Sequence, residues 1–464
     1  MTSERIEKNR RAVTNLTEGN VLSVLLMFSL PIFIGNIFQQ LYNVVDTVVI
    51  GNILGDDALA AVGSTSAVYS LLIGFVFGMS NGFSVVIARF FGAADEEKMH
   101  RAVGISAILS VALAVILTAA GFFFLHPMMV FLRTPEEILG MAEEYLYIVM
   151  GLCCVTVLYN TLSGMLRALG NSKIPLYALV IASLVNVVLD ILFVGPFGMG
   201  VKGAAIATMI AQALSALVEL IYVIRYCPEL HLKKEYIVRD TEITTELFST
   251  GMSMSLMLVI VNVGTVAMQG AVNTFGVMTI TGHTAARKLH DILQLPLGTI
   301  STSIATFVSQ NYGAGKMERV KEGIRSSIFL GATWCGMVLV FVIILGRPVT
   351  RMLTGTRSTE VIDTTMRYLM WNIPFYIILN VLLIMRNSIQ GMGRKVVPLI
   401  ASSVELIGKI LAVFLMAPLL GYLGICLIEP LTWAVTAAIV GIAFYQAIKE
   451  TGNPEDLKIA GEKA

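Results

Sequence analysis

The stretch VLSVLLMFSLPIFIGNIFQQLYNVVDTVVIGNI, residues 21–53, decides the fold class of this chain. It contains one charged residue, Asp46, which stands among valines without a nearby basic residue. About 20 apolar residues are enough for a helix to cross the hydrocarbon core of a membrane. The stretch therefore predicts a membrane-spanning helix, and it raises the question of why that helix carries a carboxylate.

The composition of the whole chain also indicates a membrane protein. Of 464 residues, 56% are hydrophobic and only 14% are charged, and the mean hydropathy is +0.80. Soluble proteins carry about 25% charged residues, so this chain has too few charges to cover soluble domains. The net charge of +1 gives no indication of nucleic-acid binding, and the five cysteines show neither a CxxC pair nor metal-ligand spacing. We expect no cofactor and no nucleic-acid partner.

Twelve apolar runs are long enough to cross the membrane. They lie near 21–53, 58–87, 102–124, 140–165, 174–196, 200–224, 246–275, 279–311, 325–346, 366–388, 396–418 and 422–447. They predict an all-α integral membrane protein with twelve transmembrane helices. No Walker A, kinase or zinc motif occurs, so we expect no enzyme and a transport energy drawn from an ion gradient.

The distribution of Lys and Arg in the connecting segments predicts the orientation of these helices. If the N-terminus lies inside, the inner segments hold 23 basic residues and the outer segments hold 5. Cytoplasmic segments carry the excess of Lys and Arg in membrane proteins. The first 20 residues are charged and lack the apolar core of a cleavable signal peptide. We therefore expect a multi-pass protein of the plasma membrane with both termini in the cytoplasm.

Three pairs of segments show that the second half of the chain repeats the first. Residues 88–103 match 309–324 at a shift of 221, residues 167–177 match 390–400 at a shift of 223, and residues 200–208 match 421–429 at a shift of 221. Each half begins on the same side of the membrane, so the two six-helix repeats are parallel. Parallel repeats recur in transporters that alternate access to a bound substrate. A channel or a membrane scaffold is the alternative of another class.

This organisation predicts five segments. They are a cytoplasmic N-terminal segment (1–20), a first lobe with six helices (21–224), a charged cytoplasmic linker (225–245), a second lobe with six helices (246–447) and a cytoplasmic tail (448–464).

Two carboxylates at membrane depth mark the first half as a candidate ion site. Asp46 and Asp190 each follow an asparagine, Asn43 and Asn186, and lie at similar depths from the outer ends of their helices. An ionisable group in a membrane helix is a functional candidate because its burial is costly. Two carboxylates that share a poorly hydrated site cannot both ionise cheaply, which suits a proton acceptor, and their oxygens would equally suit Na⁺. The alternative is that each Asp caps a helix break or binds a neighbouring helix.

The second half has no equivalent acid pair, because Val413 stands at the position that matches Asp190. Its charges at membrane depth are instead arranged as pairs and one single acid. Arg287 and Asp291, and also Glu405 and Lys409, are four residues apart on one helix and can form ion pairs. Glu429, the single acid, stands directly before Pro430 and either attracts cations or satisfies the backbone that the proline opens. A structural role and a role in substrate or proton binding both remain open for these residues.

At this point the chain resembles the multidrug and toxic compound extrusion (MATE) family over about residues 15 to 450. The resemblance rests on the twelve spans in two lobes and on motifs in both halves. The motifs are SLPIFIGNIFQQLYNVVDTVVIG (29–51), ARFFGAAD (88–95), GMLRALGNSKIP (164–175), NVVLD (186–190) and SQNYGAGK (309–316). The resemblance implies a V-shaped bundle, an antiporter that exports organic and often cationic small molecules in exchange for H⁺ or Na⁺. We also expect the protein to be a monomer in the lipid bilayer.

Family members with a cation site in the first lobe imply a set of site residues here. The set for H⁺ binding is Asp46, Asn186, Asp190, Thr208, Tyr145 and Asn160, and Asp46, Asp190, Asn186 and Thr208 are the ones implied for Na⁺. A proline in the first helix, which bends in the family when the Asp is protonated, matches Pro31, and a proline does remove a helix hydrogen bond.

The sequence departs from the branch of the family that places acidic ligands in the seventh and tenth helices, because the tenth span contains no acid and the seventh contains only Glu246, its first residue. A neighbouring branch consists of flippases for lipid-linked precursors and polysaccharides, which usually have a more cationic central cavity. Arg287 and Lys288 keep a flippase as the alternative function.

Overall fold

The chain folds into α-helices throughout the residues that the structure describes. The structure is a computed structural model, which describes residues 15–236, 240–355 and 357–451. The helices of those ranges are α1 (Val21–Leu54), α2 (Asp56–Gly92), α3 (Glu96–Phe131), α4 (Glu136–Gly151), α5 (Cys153–Ala168), α6 (Lys173–Val194), α7 (Gly200–Tyr226), α8 (Thr241–Val272), α9 (Val277–Gly313), α10 (Met317–Thr354), α11 (Thr359–Asn372), α12 (Tyr376–Gly391), α13 (Val396–Leu420) and α14 (Tyr422–Thr451). Single 3-10 turns follow α7, α8 and α11, and another precedes α8.

The number of membrane-crossing helices confirms the predicted fold class. Among the described residues, 11 helices are long and apolar enough to cross a membrane, and the count is 12 if α4 and α5 form one span. Those two helices are bent by 50° at Leu152, so the predicted span 140–165 is broken rather than straight. The predicted span 366–388 is also interrupted, by a 3-10 turn at Ile373–Phe375. Pro374 accounts for this second break, because proline lacks the N–H that continues a helix.

The helix bounds repeat from one half of the chain to the other. A shift of 221 places both ends of α2 on the ends of α9, and a shift of 223 places the start of α6 on the start of α13. The backbone repeats as well, since Gly55 and Gly276, 221 residues apart, both have φ 87°. This left-handed region favours glycine, so the same turn joins the first two helices of each half. The structure thus supports the duplication that the sequence indicates.

The chain divides into two compact units, whose bounds differ from those of the two predicted lobes, 21–224 and 246–447. Among the described residues, one unit comprises 15–16 and 27–255, and the other comprises 17–26 and 256–451. In the first unit, a Cβ atom on Gly78 or Gly82 would overlap the backbone of α8 at Gly251 and Ser255. Small residues at this spacing let helices approach closely, so the start of α8 packs against α2.

The second unit takes up the segment before α1. The Nζ atom of Lys316 donates to the backbone oxygen of Thr17 at 3.0 Å. The Nη1 atom of Arg319 donates to the backbone oxygen of Gly19 at 2.8 Å. The predicted cytoplasmic location of the termini concerns mainly residues 1–14 and 452–464, which lie outside the described residues, so the orientation stays a prediction.

Candidate functional site

Asp46 of α1 and Asp190 of α6 come together inside the first unit. Asp46 is 9% exposed and Asp190 is completely buried. Their carboxyl groups lie close enough for one to donate a hydrogen bond to the other when it carries a proton. Two ionised carboxylates are both acceptors, so a hydrogen bond between them requires a proton on one of them. The arrangement is therefore built to hold at least one proton or an equivalent positive charge.

Among the described residues, the surroundings of the two carboxyl groups supply no cation to balance their charge and few hydrogen-bond donors. Asp46 Oδ1 and both carboxylate oxygens of Asp190 are buried and receive no hydrogen bond from another described group. In the part of the chain that the structure describes, no Lys or Arg forms an ion pair with either of them. Buried polar groups without partners are rare in proteins and call for an explanation such as an ion, a proton or water.

Two more predicted residues add oxygen atoms to this region. Asn186, one turn before Asp190 on α6, is 1% exposed, and Thr208 of α7 is 2% exposed. The Oδ1 and Nδ2 atoms of Asn186 and the Oγ1 atom of Thr208 also lack hydrogen-bond partners among the described residues. Both residues line a cavity of about 40 Å³. Since a water molecule needs roughly 10–15 Å³ of such volume, this cavity has room for water beside the aspartates.

Tyrosine side chains surround the carboxyl pair. Tyr145, predicted for the site, lies close enough to interact electrostatically with Asp46 and Asp190. Tyr42 and Tyr69 do the same with Asp46, and Tyr69 also lies close to Tyr42 and to Gln212. The sequence reasoning missed Tyr42 and Tyr69. Tyr42 precedes Asp46 by one helical turn, a spacing that could have identified it, whereas nothing local marks Tyr69.

The remaining two predicted residues of the first half do not bond to the carboxyl pair. Asn160 donates its amide to the backbone oxygen of Thr156, one turn earlier in α5, at 2.8 Å. Pro31 lies inside α1, which continues through it as one helix. Fifteen residues separate Pro31 from Asp46, roughly 22 Å along the axis. The effect of Pro31 on Asp46, if any, must be transmitted by the helix itself.

The second half gathers its charges differently, around Glu429 of α14. Glu429 is 4% exposed. Arg287 of α9 donates to it at 2.9 Å, and the hydroxyl of Tyr368 donates to its other oxygen at 2.5 Å. Arg287 also pairs with Asp291 at 3.3 Å. Glu429 thus binds a cation and a hydroxyl side chain. The Arg287–Glu429 pair was not visible in the sequence, because 142 residues separate its partners.

The other predicted acid of this half is compensated as well. Glu405 of α13 lies 2.9 Å from Lys409 and 3.5 Å from Arg386. All three side chains are buried. The predicted pairs at a spacing of four residues are both present, and each buried acid of this half has a permanent cation beside it.

Comparison with known proteins places the chain in one family. The model of the MatE family matches residues 31–192 and 253–415, which is more than half of the chain. The probable multidrug resistance protein YpnP of Bacillus subtilis (strain 168) is 28% identical over 393 residues, covering 84% of this chain and 87% of that protein.

Solved structures match almost the entire chain. One describes the outward-facing conformation of a multidrug resistance MATE family transporter, with a TM-score of 0.88, 22% identity and coverage of 95% of this chain and 98% of that one. Another describes a MATE protein in the bent conformation, with a TM-score of 0.88, 21% identity and coverage of 97% and 99%. At these identities the likeness shows the fold.

Proposed function

The chain belongs to the MatE family of multidrug efflux transporters, and we propose that it is an antiporter that exports organic cations in exchange for protons. A multi-span protein with bacterial relatives of this family is a transporter of the plasma membrane and not an enzyme. The coupling ion, the charge of the cargo and the antiport mechanism are the proposal.

The observation that carries the proposal is the burial of Asp46 and Asp190 close together, with three of their four carboxyl oxygens lacking a partner among the described residues. A hydrogen bond between the two carboxyl groups can exist only while a proton is present, and no other described group takes the proton's place. Loss of the proton would leave two buried like charges, which repel. Deprotonation therefore favours separation of α1 from α6, and protonation favours their contact. Such a two-state contact is what proton coupling of a conformational change requires.

The charge of the cargo follows from the same pair. The deprotonated site holds up to two negative charges without a protein cation, so a cationic compound would be attracted to the first half in that state. Protonation cancels the attraction and releases the compound. Protons and organic cations then bind in turn to one negative site, which is the logic of exchange.

Sodium is the alternative coupling ion. The oxygens of Asp46, Asp190, Asn186 and Thr208 are hard ligands of the kind that suit alkali and alkaline-earth cations. The proton is our first choice because a proton shared between the two carboxyl groups needs no further ligand.

A flippase for anionic precursors is less well supported. It would need several cationic groups free to bind phosphate, whereas Arg287 is occupied by Glu429 and Asp291 and only Lys288 of that pair is exposed. The membership in an efflux family also argues against a channel or a scaffold. Drug export is therefore the function that the site supports best.

The proposal is tested with purified protein in vesicles, in which H⁺ and Na⁺ gradients are imposed separately. We expect a proton gradient alone to drive uptake of ethidium into vesicles, and Asp46→Asn to abolish it. The matched control is Asp57→Asn, which neutralises an exposed acid at the start of α2. Uptake that follows a Na⁺ gradient without a pH gradient would show that Na⁺ is the coupling ion. Full activity of Asp46→Asn would refute the assignment of the site.

A further inference from the structure

A seam of polar side chains connects the carboxyl pair to the opposite end of the first unit. On α7, Thr208, Gln212, Ser215 and Glu219 follow one another at spacings of four, three and four residues. Such spacings place side chains on one face of a helix. On α5, Thr156, Tyr159, Ser163 and Arg167 do the same. Helices in a membrane have little reason to carry matching polar stripes unless the stripes face each other or a functional path.

Hydrogen bonds join the two stripes at both ends. The hydroxyl of Thr156 donates to Gln212 at 2.6 Å. The hydroxyl of Ser163 donates to Glu219 at 2.6 Å, about two helical turns further along. Gln212 also lies close to Tyr69, the tyrosine that interacts with Asp46. The seam therefore begins at the aspartate site and ends at Glu219.

The middle of the seam is bridged by the cavity and by Tyr159. The cavity of about 40 Å³ is lined by Thr208, Gln212 and Tyr159. Tyr159 in turn lies close to Ser163, one helical turn further along α5. A water molecule in this polar cavity would complete a row of exchangeable protons between the aspartates and Ser163. Thr208 and Glu219 are 11 residues apart, so the row covers roughly 16 Å of the membrane.

Glu219 is a buried acid for which the packing of the unit gives no sufficient reason. It is completely buried, and its Oε2 atom has no hydrogen-bond partner among the described residues. Besides Ser163, the groups that act on it are Arg167 and Tyr159 of α5, and no Lys or Arg forms an ion pair with it in the described ranges. It stands seven residues before the end of α7, the end that leads to the linker predicted to be cytoplasmic.

The second half of the chain does not repeat the acid of this seam, although polar residues stand at some matching positions, such as Arg386 for Ser163 and Thr436 for Ser215. At the shifts that superpose the helices, Val440 matches Glu219, Leu382 matches Tyr159 and Trp433 matches Gln212. A duplicated helix pair that packs without an acid in one half does not need one for packing in the other. The acid accompanies the half that has the Asp46–Asp190 pair.

From this arrangement we propose that Glu219 is the proton relay between the Asp46–Asp190 site and the cytoplasm. The inference rests on the proposed proton coupling. A proton leaves the aspartate pair and passes along the hydroxyl groups and the cavity, and the carboxylate of Glu219 accepts it. Glu219 then gives up the same proton to water at the end of α7, with Arg167 beside it to stabilise the returning carboxylate. Each transfer moves one proton from a donor oxygen to an acceptor oxygen.

The test measures proton movement inside vesicles with a trapped pH-sensitive dye after substrate is added. Glu219→Gln keeps an acceptor for Ser163 and removes the proton-carrying group. We expect it to slow substrate-driven proton movement at least roughly tenfold, while the affinity for substrate stays unchanged. Ser163→Ala should also slow it, whereas Ser106→Ala should not. Ser106 is an equally buried serine whose hydroxyl donates to Val103 of its own helix. Glu219→Asp should restore part of the rate.

The outcomes separate this inference from the proposed function. If the unmodified protein moves no protons on addition of substrate, proton coupling itself is wrong and the relay falls with it. If the unmodified protein moves protons and Asp46→Asn does not, the coupling stands. If Glu219→Gln then moved protons as fast as the unmodified protein, the relay alone would be overturned. Proton movement could also be slow in Glu219→Gln, equally slow in Glu219→Asp, and not accelerated by a pH jump. That result would indicate a structural role for Glu219 and would also overturn the relay.

Discussion

The two halves of the chain place opposite electrostatic arrangements at matching positions. In the first half, Asp190 and Asp46 are buried together without a cation. The corresponding positions of the second half, Val413 and Ala267, have no charge. Its acid is Glu429 instead, which matches Thr208 and has a guanidinium at 2.9 Å. The duplicated fold thus contains buried acids without a cationic partner in the first half and buried acids paired with cations in the second half.

The other matched positions show the same contrast. Tyr145 and Tyr368 correspond to each other, and each faces a carboxylate. Asn186, an oxygen donor without a partner, corresponds to Lys409, which pairs with Glu405. The second half therefore provides its positive charge from its own side chains, where the first half must take one from solution. Under the proposed function, this difference means that the first half responds to an ion gradient and the second half keeps its charges paired.

The most drastic way to break the comparison is to remove the internal cation of the second half. Arg287→Met leaves Glu429 buried without its main partner. Removing one member of a buried ion pair costs about 3–5 kcal/mol, so we expect a large fall in the free energy of unfolding. Glu429→Gln added to Arg287→Met should restore more than half of it. Thermal unfolding of the protein in detergent measures both changes.

The matched control is an exposed ion pair of the same unit. Arg347 pairs with Asp363 at 2.6 Å, and both side chains are about half exposed. Exposed pairs contribute about 0–1 kcal/mol, so Arg347→Met should change little. Equal effects of Arg287→Met and Arg347→Met would show that Glu429 does not depend on its cation.

A smaller effect is expected from Lys409→Asn, which installs in the second half the residue type found at the matching position of the first. Glu405 loses the Lys409 ammonium at 2.9 Å but keeps Arg386 at 3.5 Å. We expect a loss of about 1–3 kcal/mol, the usual contribution of a hydrogen bond to a charged group. The measurement is the same unfolding experiment, with Glu405→Gln/Lys409→Asn as the compensated variant. A loss as large as that of Arg287→Met would mean that Arg386 does not stabilise Glu405.

Hydropathy and internal matches were enough to predict the fold. The twelve spans follow from composition alone, since a membrane helix needs only a long apolar run. The break between α4 and α5 was missed because a hydropathy window records how apolar residues 140–165 are and not whether the helix axis bends. The break at Pro374 had a local signal, since proline cannot continue the hydrogen bonding of a helix.

The candidate site was predictable only in part. That Asp46 and Asp190 would meet followed from their similar depth, because depth along a helix is set by residue number. The partners on other helices, such as Tyr69, Gln212 and Glu429 for Arg287, depend on how each helix is rotated about its axis. That rotation follows from packing, which no single segment of sequence specifies. The polar stripes of α5 and α7 were readable at their spacings, but only the hydrogen bonds show that the stripes face each other.

The smallest expected change in stability distinguishes the two halves by its sign: removing a buried acid should not lower stability in the first half but should lower it in the second. Asp190→Asn removes from the first half a buried acid that no cation compensates. The amide can donate to Asp46, so the variant no longer needs a proton for the contact between α1 and α6. We expect the free energy of unfolding at neutral pH to stay equal or to rise by about 1 kcal/mol. Glu429→Gln in the second half should lower it, since Arg287 then keeps only Asp291, which is largely exposed, as a charged partner.

The two substitutions differ in position but not in chemistry, since each replaces one buried carboxylate by an amide. A fall in stability for both would mean that the acid pair of the first half is a structural contact, as Glu429 is, and that the halves do not differ in kind. Thermal unfolding across pH 5 to 8 adds a second criterion. The stability of the unmodified protein should depend on pH through the shared proton of Asp46 and Asp190, and Asp190→Asn should remove that dependence while Arg347→Met leaves it in place. If Asp190→Asn removes the pH dependence and leaves the stability unchanged, the buried acids without a cationic partner belong to the first half alone.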